Sequence, residues 1–252
     1  MKIDVYILCR NEADILPYTL RHYLSFARYI YIYEGRSTDG CRAIIEEQQK
    51  AHPGQIAMID WPDGQMLDDI NNSRIKSICW RGSDADWVIL VDCDEFVYFP
   101  VGLDALAAAR GAVIVPYGWE LLSDQYPSTA GQIYSEVRLG ASDDRWYGKP
   151  VILSPHGVVS ACYEVGAHAV DYMTTDCQRR YAGPESPRSN PPVWLLHCKH
   201  LGPVERVAAR YDAVRASYSE TNRKHGWGHQ VDGLVHAKAK RTELLARARV
   251  IL

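Results

Sequence analysis

No stretch of this 252-residue sequence approaches the ~20 uninterrupted apolar residues that a membrane-crossing helix needs. The first strand-like run, Val5 to Cys9, is far shorter. Asp4 within its approach and Arg10-Asn11-Glu12 after it also disagree with a secretory leader. No C-x-x-C pair occurs: the seven cysteines (9, 41, 79, 93, 162, 177 and 198) are odd in number and scattered. That argues against a zinc cage and a disulfide framework, and the expectation is reduced thiols in a cytoplasmic protein. Internal repeats and low-complexity tracts are missing as well, and the composition excludes disorder, collagen and coiled coil.

What is present is an ordinary globular composition, 47% hydrophobic and 23% charged, on a chain long enough to bury its own core. The net charge of −3 is laid out unevenly. Residues 1–196 carry 17 Lys and Arg against 26 Asp and Glu, whereas residues 197–252 carry 11 against 5. A basic tail on an acidic body reads either as a surface that meets something anionic or as a solvated helix.

Apolar runs alternate with helical patterns through the first hundred residues. Lys2–Cys9, Arg28–Tyr33, Ile56–Asp60 and Trp87–Val91 read as strands; Asn11–Phe26, Cys41–Lys50 and Leu67–Trp80 read as helices. This alternation predicts an α/β fold, a mostly parallel sheet flanked by helices. Ligands of such sheets sit beyond the carboxyl ends of the strands. Arg10–Glu12, Glu34–Asp39 and Asp92–Glu95 each follow a strand, so they are expected to converge on one edge. Beyond residue 112 the pattern loosens. Ala112–Pro116, Val151–Ser154 and Val193–His197 read as strands, Gly183–Pro192 as a loop, and Val204–Glu220 and Leu234–Leu252 as helices.

Asp92-x-Asp94 closes an apolar strand. Two carboxylates so close repel and raise each other's pKa. A divalent cation removes that cost, and Mg2+ or Mn2+ takes such groups together with phosphate oxygens. Taken alone, the pair is equally the acidic end of a strand. His197 and His200 form H-x-x-H after a short strand, an arrangement that in isolation is more often structural than ligating. Asn72 and Lys76 lie on the helix before the acidic strand, where a solvated face is the plain alternative. Asp39 reads as a brace for its turn or a cap for the next helix.

Three segments together resemble the family 2-like glycosyltransferases. Val5-Tyr6-Ile7-Leu8-Cys9-Arg10-Asn11-Glu12 looks like their opening strand and N-E turn, and Tyr31–Gly40 resembles their I-Y-I-Y-D-N-x-S-T-D-G segment. Asp86-Trp87 through Asp92-Cys93-Asp94-Glu95-Phe96 resembles the D-x-D-E-F segment of the sub-branch that includes family 92-like enzymes. Gly148-Lys149-Pro150-Val151 resembles their K-P-I-V strand and His200-Leu201-Gly202 their late H-x-G. One departure is Glu34 where the family usually has Asp.

The resemblance implies a Rossmann-like GT-A fold, a UDP-sugar or related nucleotide-sugar donor, and Mn2+ or Mg2+ as cofactor. It implies that Asp92 and Asp94 hold the metal, with His197 and His200 as further ligands. Arg10, Asn11, Glu12, Glu34, Asn72, Lys76, Asp92 and Lys149 would surround the donor. Inverting transfer needs a base for the acceptor hydroxyl. Glu120 and Asp144 are the candidates taken forward with Asp94 as catalytic residues, and Asp124, Asp143 and Asp171 are also available. Residues 1–202 would form the catalytic domain, with 1–100 the donor half and 101–202 the acceptor half. Residues 203–252 would be a basic helical extension on the same domain.

The acceptor stays open between a glycan or lipid-linked saccharide and a hydroxymethylated base in DNA. Residues 197–252 offer a peripheral contact with an anionic surface. Nucleotidyl transfer is disfavoured because the loop after the first strand has no glycine, and a non-catalytic binding module is the remaining alternative.

Overall fold

The computed structural model describes residues 1–60, 68–128, 131–142, 144–227 and 233–252. Its first half runs β1 (Ile3–Cys9), α1 (Leu16–Leu24), β2 (Tyr29–Glu34), α2 (Cys41–Ala51), β3 (Ile56–Asp60), α3 (Asp69–Ile78) and β4 (Trp87–Asp92). There follow β5 (Glu95–Tyr98), α4 (Asp104–Ala107), β6 (Val113–Ile114), β7 (Tyr117–Ser123), α5 (Ile133–Glu136), β8 (Leu139–Ser142), α6 (Asp144–Tyr147) and β9 (Ile152–Leu153). The remainder is β10 (Val158–Tyr163), β11 (Val170–Thr174), β12 (Arg179–Ala182), β13 (Trp194–Leu201), α7 (Val204–Ala216), α8 (Glu220–His225), α9 (Gly233–Leu245) and β14 (Arg249–Val250).

The main sheet has the order β3-β2-β1-β4-β9-β6. Its first four strands are parallel and β9 returns antiparallel to β4. This is the mixed α/β architecture that the alternation predicts. β1 is buried along its whole length, which is why Ile-Asp-Val-Tyr-Ile-Leu-Cys reads as nearly continuous apolar chain. Its one charge, Asp4, is satisfied at the sheet's lower edge by Arg28 through bonds of 2.9 and 2.7 Å and by the Ser83 hydroxyl at 2.7 Å. A second sheet runs β14-β8-β7-β13-β5, and a third, β10-β11-β12, lies against α3. There the Ser73 hydroxyl donates to the Glu164 carbonyl, and the Tyr163 amide donates to Ser77 Oγ.

Several elements differ from the sequence reading. The helix expected from Asn11 starts only at Leu16, because Asn11 adopts φ +52° in a turn. α7 stops at Ala216, and α8 follows a break at 217–219. The expected helix to Leu252 ends at Leu245, after which Arg249 and Val250 add an antiparallel edge to β8. Among the described residues no helix is long and apolar enough to cross a membrane.

The basic tail spends much of its charge on the acidic body. Arg206 pairs with Asp14 at 2.5 Å, Arg210 with Glu12 at 2.6 Å, and Arg241 with Asp124 at 2.6 Å. Arg241 also donates to the carbonyls of Gly202 and Ser123, so its buried guanidinium staples α9 to the second sheet. α7 and α9 meet through Val207, Ala208, Tyr211 and Ala237.

α1 buries a titratable group in the core. His22 donates from Nε2 to the Val97 carbonyl at 2.9 Å, which leaves Nδ1 to accept from the Tyr134 hydroxyl at 3.2 Å. Burial pushes its pKa down to about 4, against a small upward pull from the Val97 bond. The unfolded chain protonates this ring near pH ~6.5 and the native chain only near 4, so unfolding takes up a proton between those values. Stability from this residue is therefore complete above that window and falls as the pH drops through it, by roughly 3 kcal/mol in all. Urea midpoints at pH 7 and pH 4.5 should show a larger loss for the native chain than for His22→Gln; equal losses would contradict this.

Candidate active site

β1 and β4 are neighbours, yet the chain leaves β1 toward β2 on one side and reaches β4 on the other. At such a switch point the loops beyond the strands diverge and leave a crevice. A cavity of about 290 Å³ lies there, lined from both sides by Arg10-Asn11-Glu12 and Asp92-Cys93-Asp94. Asn72 and Lys76 of α3, Lys149, Gly166, His197 and Arg210 complete the wall.

The Arg10–Glu12 turn is braced by the turn after β2. The Asn11 amide donates to Ser37 Oγ at 2.9 Å, and Asn11 Oδ1 accepts from the Thr38 amide at 2.7 Å. Asp39 accepts from the amides of Ala13 at 2.8 Å and Cys41 at 3.2 Å, which is the bracing role read from the sequence. Asparagine tolerates the left-handed backbone that this turn requires. Arg10 donates to the Gly35 carbonyl at 2.7 Å, while its Nε is buried without a protein partner. Asn72 Oδ1 is likewise buried and unpartnered beside the cavity.

Glu34 requires a correction. It is fully buried and accepts from the amides of Arg36 and Ser37 and from Arg42 at 2.6 Å. Its added methylene lets the carboxylate reach back to its own turn, so it is no acceptor for a base or ribose in this conformation.

The two acidic residues sit in different electrostatic settings. Asp92 receives Lys76 Nζ at 2.8 Å and Lys149 Nζ at 3.3 Å. Burial alone would raise its pKa, but the two ammonium groups hold it well below the usual carboxylate range. Lys149 also meets buried Glu95 at 2.5 Å. Asp94 Oδ2 accepts from Arg210 at 2.9 Å and lies 3.6 Å from His197 Nε2. Burial again opposes ionisation, and His197 and Arg210 overcome it. The pair is thus ionised and divided between protein cations.

His197 reaches the cavity because Glu120 holds its far side, with Oε2 at 2.5 Å from Nδ1. Tyr147 stacks on the ring with centroids 5.2 Å apart. Glu120 is fully buried, and its other oxygen accepts from the His200 amide at 2.8 Å. It therefore cannot meet an acceptor hydroxyl here; it orients His197. His200 also departs from expectation. A register irregularity between the two histidines accompanies a ring that shares a 2.8 Å hydrogen bond with the Tyr211 hydroxyl, away from the cavity. Burial pushes its pKa down to about 4.

Asp144 opens α6, but its side chain, like Asp143, lies outside the described residues. Trp146 is exposed and meets His168 edge-on at 5.6 Å. Asp124 pairs with Arg241 and Asp171 with Arg179. Asn222 of α8 is buried and exchanges two 3.1 Å hydrogen bonds with Asp69, which braces the start of α3.

Arg210, Lys199, Asp69 and Tyr218 line the cavity without having been singled out in the sequence. The basic charge of residues 197–252 was the signal that pointed toward the first two. Glu12 pairs with Arg210; burial pushes its pKa up to about 7, with Arg210 pulling down and Asp94 pushing further up.

A hard divalent ion fits the donor chemistry. Asp94 Oδ2 and His197 Nε2, 3.6 Å apart, are the two donors that would hold it. Among the described residues no three His, Cys, Asp or Glu side chains are already gathered as ligands. Such an ion would therefore draw its remaining ligands from substrate oxygens and water, as Mg2+ commonly does.

No family model and no curated protein matches the chain. Among solved structures it is similar to residues 1–349 of TarS from S. aureus, at 10% identity and TM-score 0.44, covering 98% of this chain and 71% of that one. It is also similar to the mannosyltransferase PcManGT from Pyrobaculum calidifontis in complex with GDP-Man and Mn2+. There the identity is 16% and the TM-score 0.33, over 49% of this chain and 36% of that one. A third similar structure is LgtC, a galactosyltransferase in complex with donor and acceptor sugar analogues, at 11% identity and TM-score 0.32 over 60% of this chain and 57% of that one. The chain thus spans about a third of PcManGT and just over half of LgtC. With likenesses this distant, a function must stand on the site's own side chains.

Proposed function

We propose that this chain transfers a sugar from a nucleotide-sugar donor, a UDP-sugar first, to a hydroxyl of a glycan or lipid-linked saccharide, with inversion. The observation that supports it is the meeting of Asp92, Asp94, Lys76, Lys149, His197 and Arg210 in one cavity at the strand switch point. A diphosphate needs cations, and a nucleoside needs a structured turn with unspent polar atoms; the cavity wall offers both. The sequence resemblance in β1, the turn after β2 and β4 points to the same activity.

In this reading Arg10, Asn11 and Asn72 flank the nucleoside, using the unpartnered Arg10 Nε and Asn72 Oδ1. Asp94 and His197 would hold Mn2+ or Mg2+, which supplies positive charge against the departing diphosphate. Lys76 and Lys149 keep Asp92 ionised and place two positive charges in the wall, preorganised before substrate arrives. Glu120 keeps the His197 ring in register by bonding Nδ1, leaving Nε2 directed at Asp94 and the cavity. A glycan acceptor is favoured over DNA because Arg206, Arg210, Arg241 and Arg247 are already engaged in ion pairs of the fold.

The test is nucleotide release from a panel of UDP- and GDP-sugars in Mn2+. Asp94→Asn should cut turnover by about a hundredfold or more, the scale of losing one principal electrostatic contact to a leaving group. Release that is equal in both proteins would remove the proposal.

A further inference from the structure

We infer that Arg210 is both a phosphate-binding residue and a block to bare divalent ions, so that metal and nucleoside diphosphate enter this site together. The inference rests on the nucleotide-sugar reading and adds to it a residue and an order of binding.

Arg210 is delivered by α7, and one of its nitrogens, Nη2, bridges Glu12 Oε1 at 2.6 Å and Asp94 Oδ2 at 2.9 Å. Its side chain is 17% exposed, and it lines the cavity between those two carboxylates. The guanidinium thus sits between Glu12 and Asp94, and His197 Nε2 lies 3.6 Å from the same Asp94 oxygen that it holds. A bare ion claiming Asp94 must first displace this nitrogen, leaving a mostly buried guanidinium with one of its two carboxylates, Glu12, and giving up a buried ion pair for nothing in return.

The lining makes the exchange more one-sided. Five Lys or Arg side chains face the cavity against four carboxylates, so an ion carrying two further positive charges enters a wall that is already cationic. A diphosphate reverses both objections. It brings negative charge, and its oxygens match the planar donor fork of a guanidinium better than a single carboxylate does. Arg210 can then turn from Asp94 to phosphate while the ion takes its place on Asp94, and no buried charge is left alone at either end.

The experiment uses the full chain, with Mn2+ binding followed by electron paramagnetic resonance and UDP binding by calorimetry. In the wild type, saturating UDP should tighten Mn2+ binding by about tenfold or more, after correction for the Mn2+–UDP complex in solution. Arg210→Gln should shift the two ligands in opposite directions: Mn2+ alone should bind about tenfold tighter, and UDP with Mn2+ about tenfold weaker. A merely structural arginine would weaken both. Affinities within twofold of wild type in the variant would overturn the inference. If Arg210→Gln does not fold, the wild-type titration decides: Mn2+ binding that is the same with and without UDP overturns it. Absence of UDP and GDP binding in Mn2+ by both proteins would overturn the nucleotide-sugar reading itself, a result distinct from nucleotide binding that ignores Arg210.

Discussion

Lys149→Met is expected to lower the stability of the fold by about 3–5 kcal/mol, the usual cost of removing one partner from a buried ion pair. Lys149 Nζ stands 2.5 Å from Glu95 Oε1 and 3.3 Å from Asp92 Oδ2. Burial would lower the ammonium's pKa, but Glu95 and Asp92 hold it well above its ordinary value, so the group is charged throughout the working pH range. Methionine preserves the length and volume of the chain and deletes only the charge. Asp92 would keep Lys76. Glu95, fully buried, would retain only the Asp92 amide at 2.9 Å. Urea unfolding measures the loss, and the double variant Lys149→Met/Glu95→Met should recover most of it, since a well-packed apolar pair can replace a buried ion pair. A single-variant loss under about 1 kcal/mol would show that Glu95 does not depend on Lys149.

Gly118→Ala is expected to be nearly as costly, for a steric reason. A Cβ at position 118 would stand 2.2 Å from the Gly148 nitrogen and 2.3 Å from the Tyr147 carbonyl carbon. These are backbone atoms, so relief requires the 147–148 segment to leave β7. Overpacking of ordinary side chains costs about 1–3 kcal/mol, and a backbone collision belongs at or above the upper end. For a chain of this size about 3 kcal/mol corresponds to a fall in Tm of roughly 6–12 °C. The same shift would move Tyr147 off His197 and drag Lys149, the next residue but one, away from Asp92. Thermal melts together with UDP calorimetry should therefore report lost stability and lost affinity in one variant. A Tm within about 2 °C of the parent would mean that the segment yields freely and that its contact with β7 does not position the site.

The first hundred residues were legible because parallel strands buried on both faces are written as short apolar runs. β1, β2 and β4 lie within a residue or so of where those runs place them. The convergence of Arg10–Glu12 with Asp92–Asp94 followed from the rule that loops at the carboxyl ends of such strands meet. Glu120 reads as a candidate base because inverting transfer needs a carboxylate, and nothing in Tyr-Gly-Trp-Glu-Leu-Leu-Ser shows whether that carboxylate is free or already spent. It is buried in β7 only because His197 and the His200 amide satisfy it from 77 and 80 positions away. Arg210 was hidden for the same reason: on α7 it looks like one more basic side chain, and its partner Glu12 is 198 positions earlier. Local pattern reveals which face of an element is apolar. It does not reveal which distant charge will neutralise another, and at this site that pairing decides which side chains face the ligand.

The separation of 116 positions between Asp94 and Arg210 also has a meaning in time. At about 5–20 residues per second of synthesis, Arg210 is made roughly 6–23 s after Asp94. Throughout that interval the nascent chain holds Glu12 and Asp94 without the guanidinium that later joins them. Asp94 and Glu12 are thus synthesised well before the arginine that joins them, and the cavity between β1 and β4 is completed only once the later helices have emerged and docked.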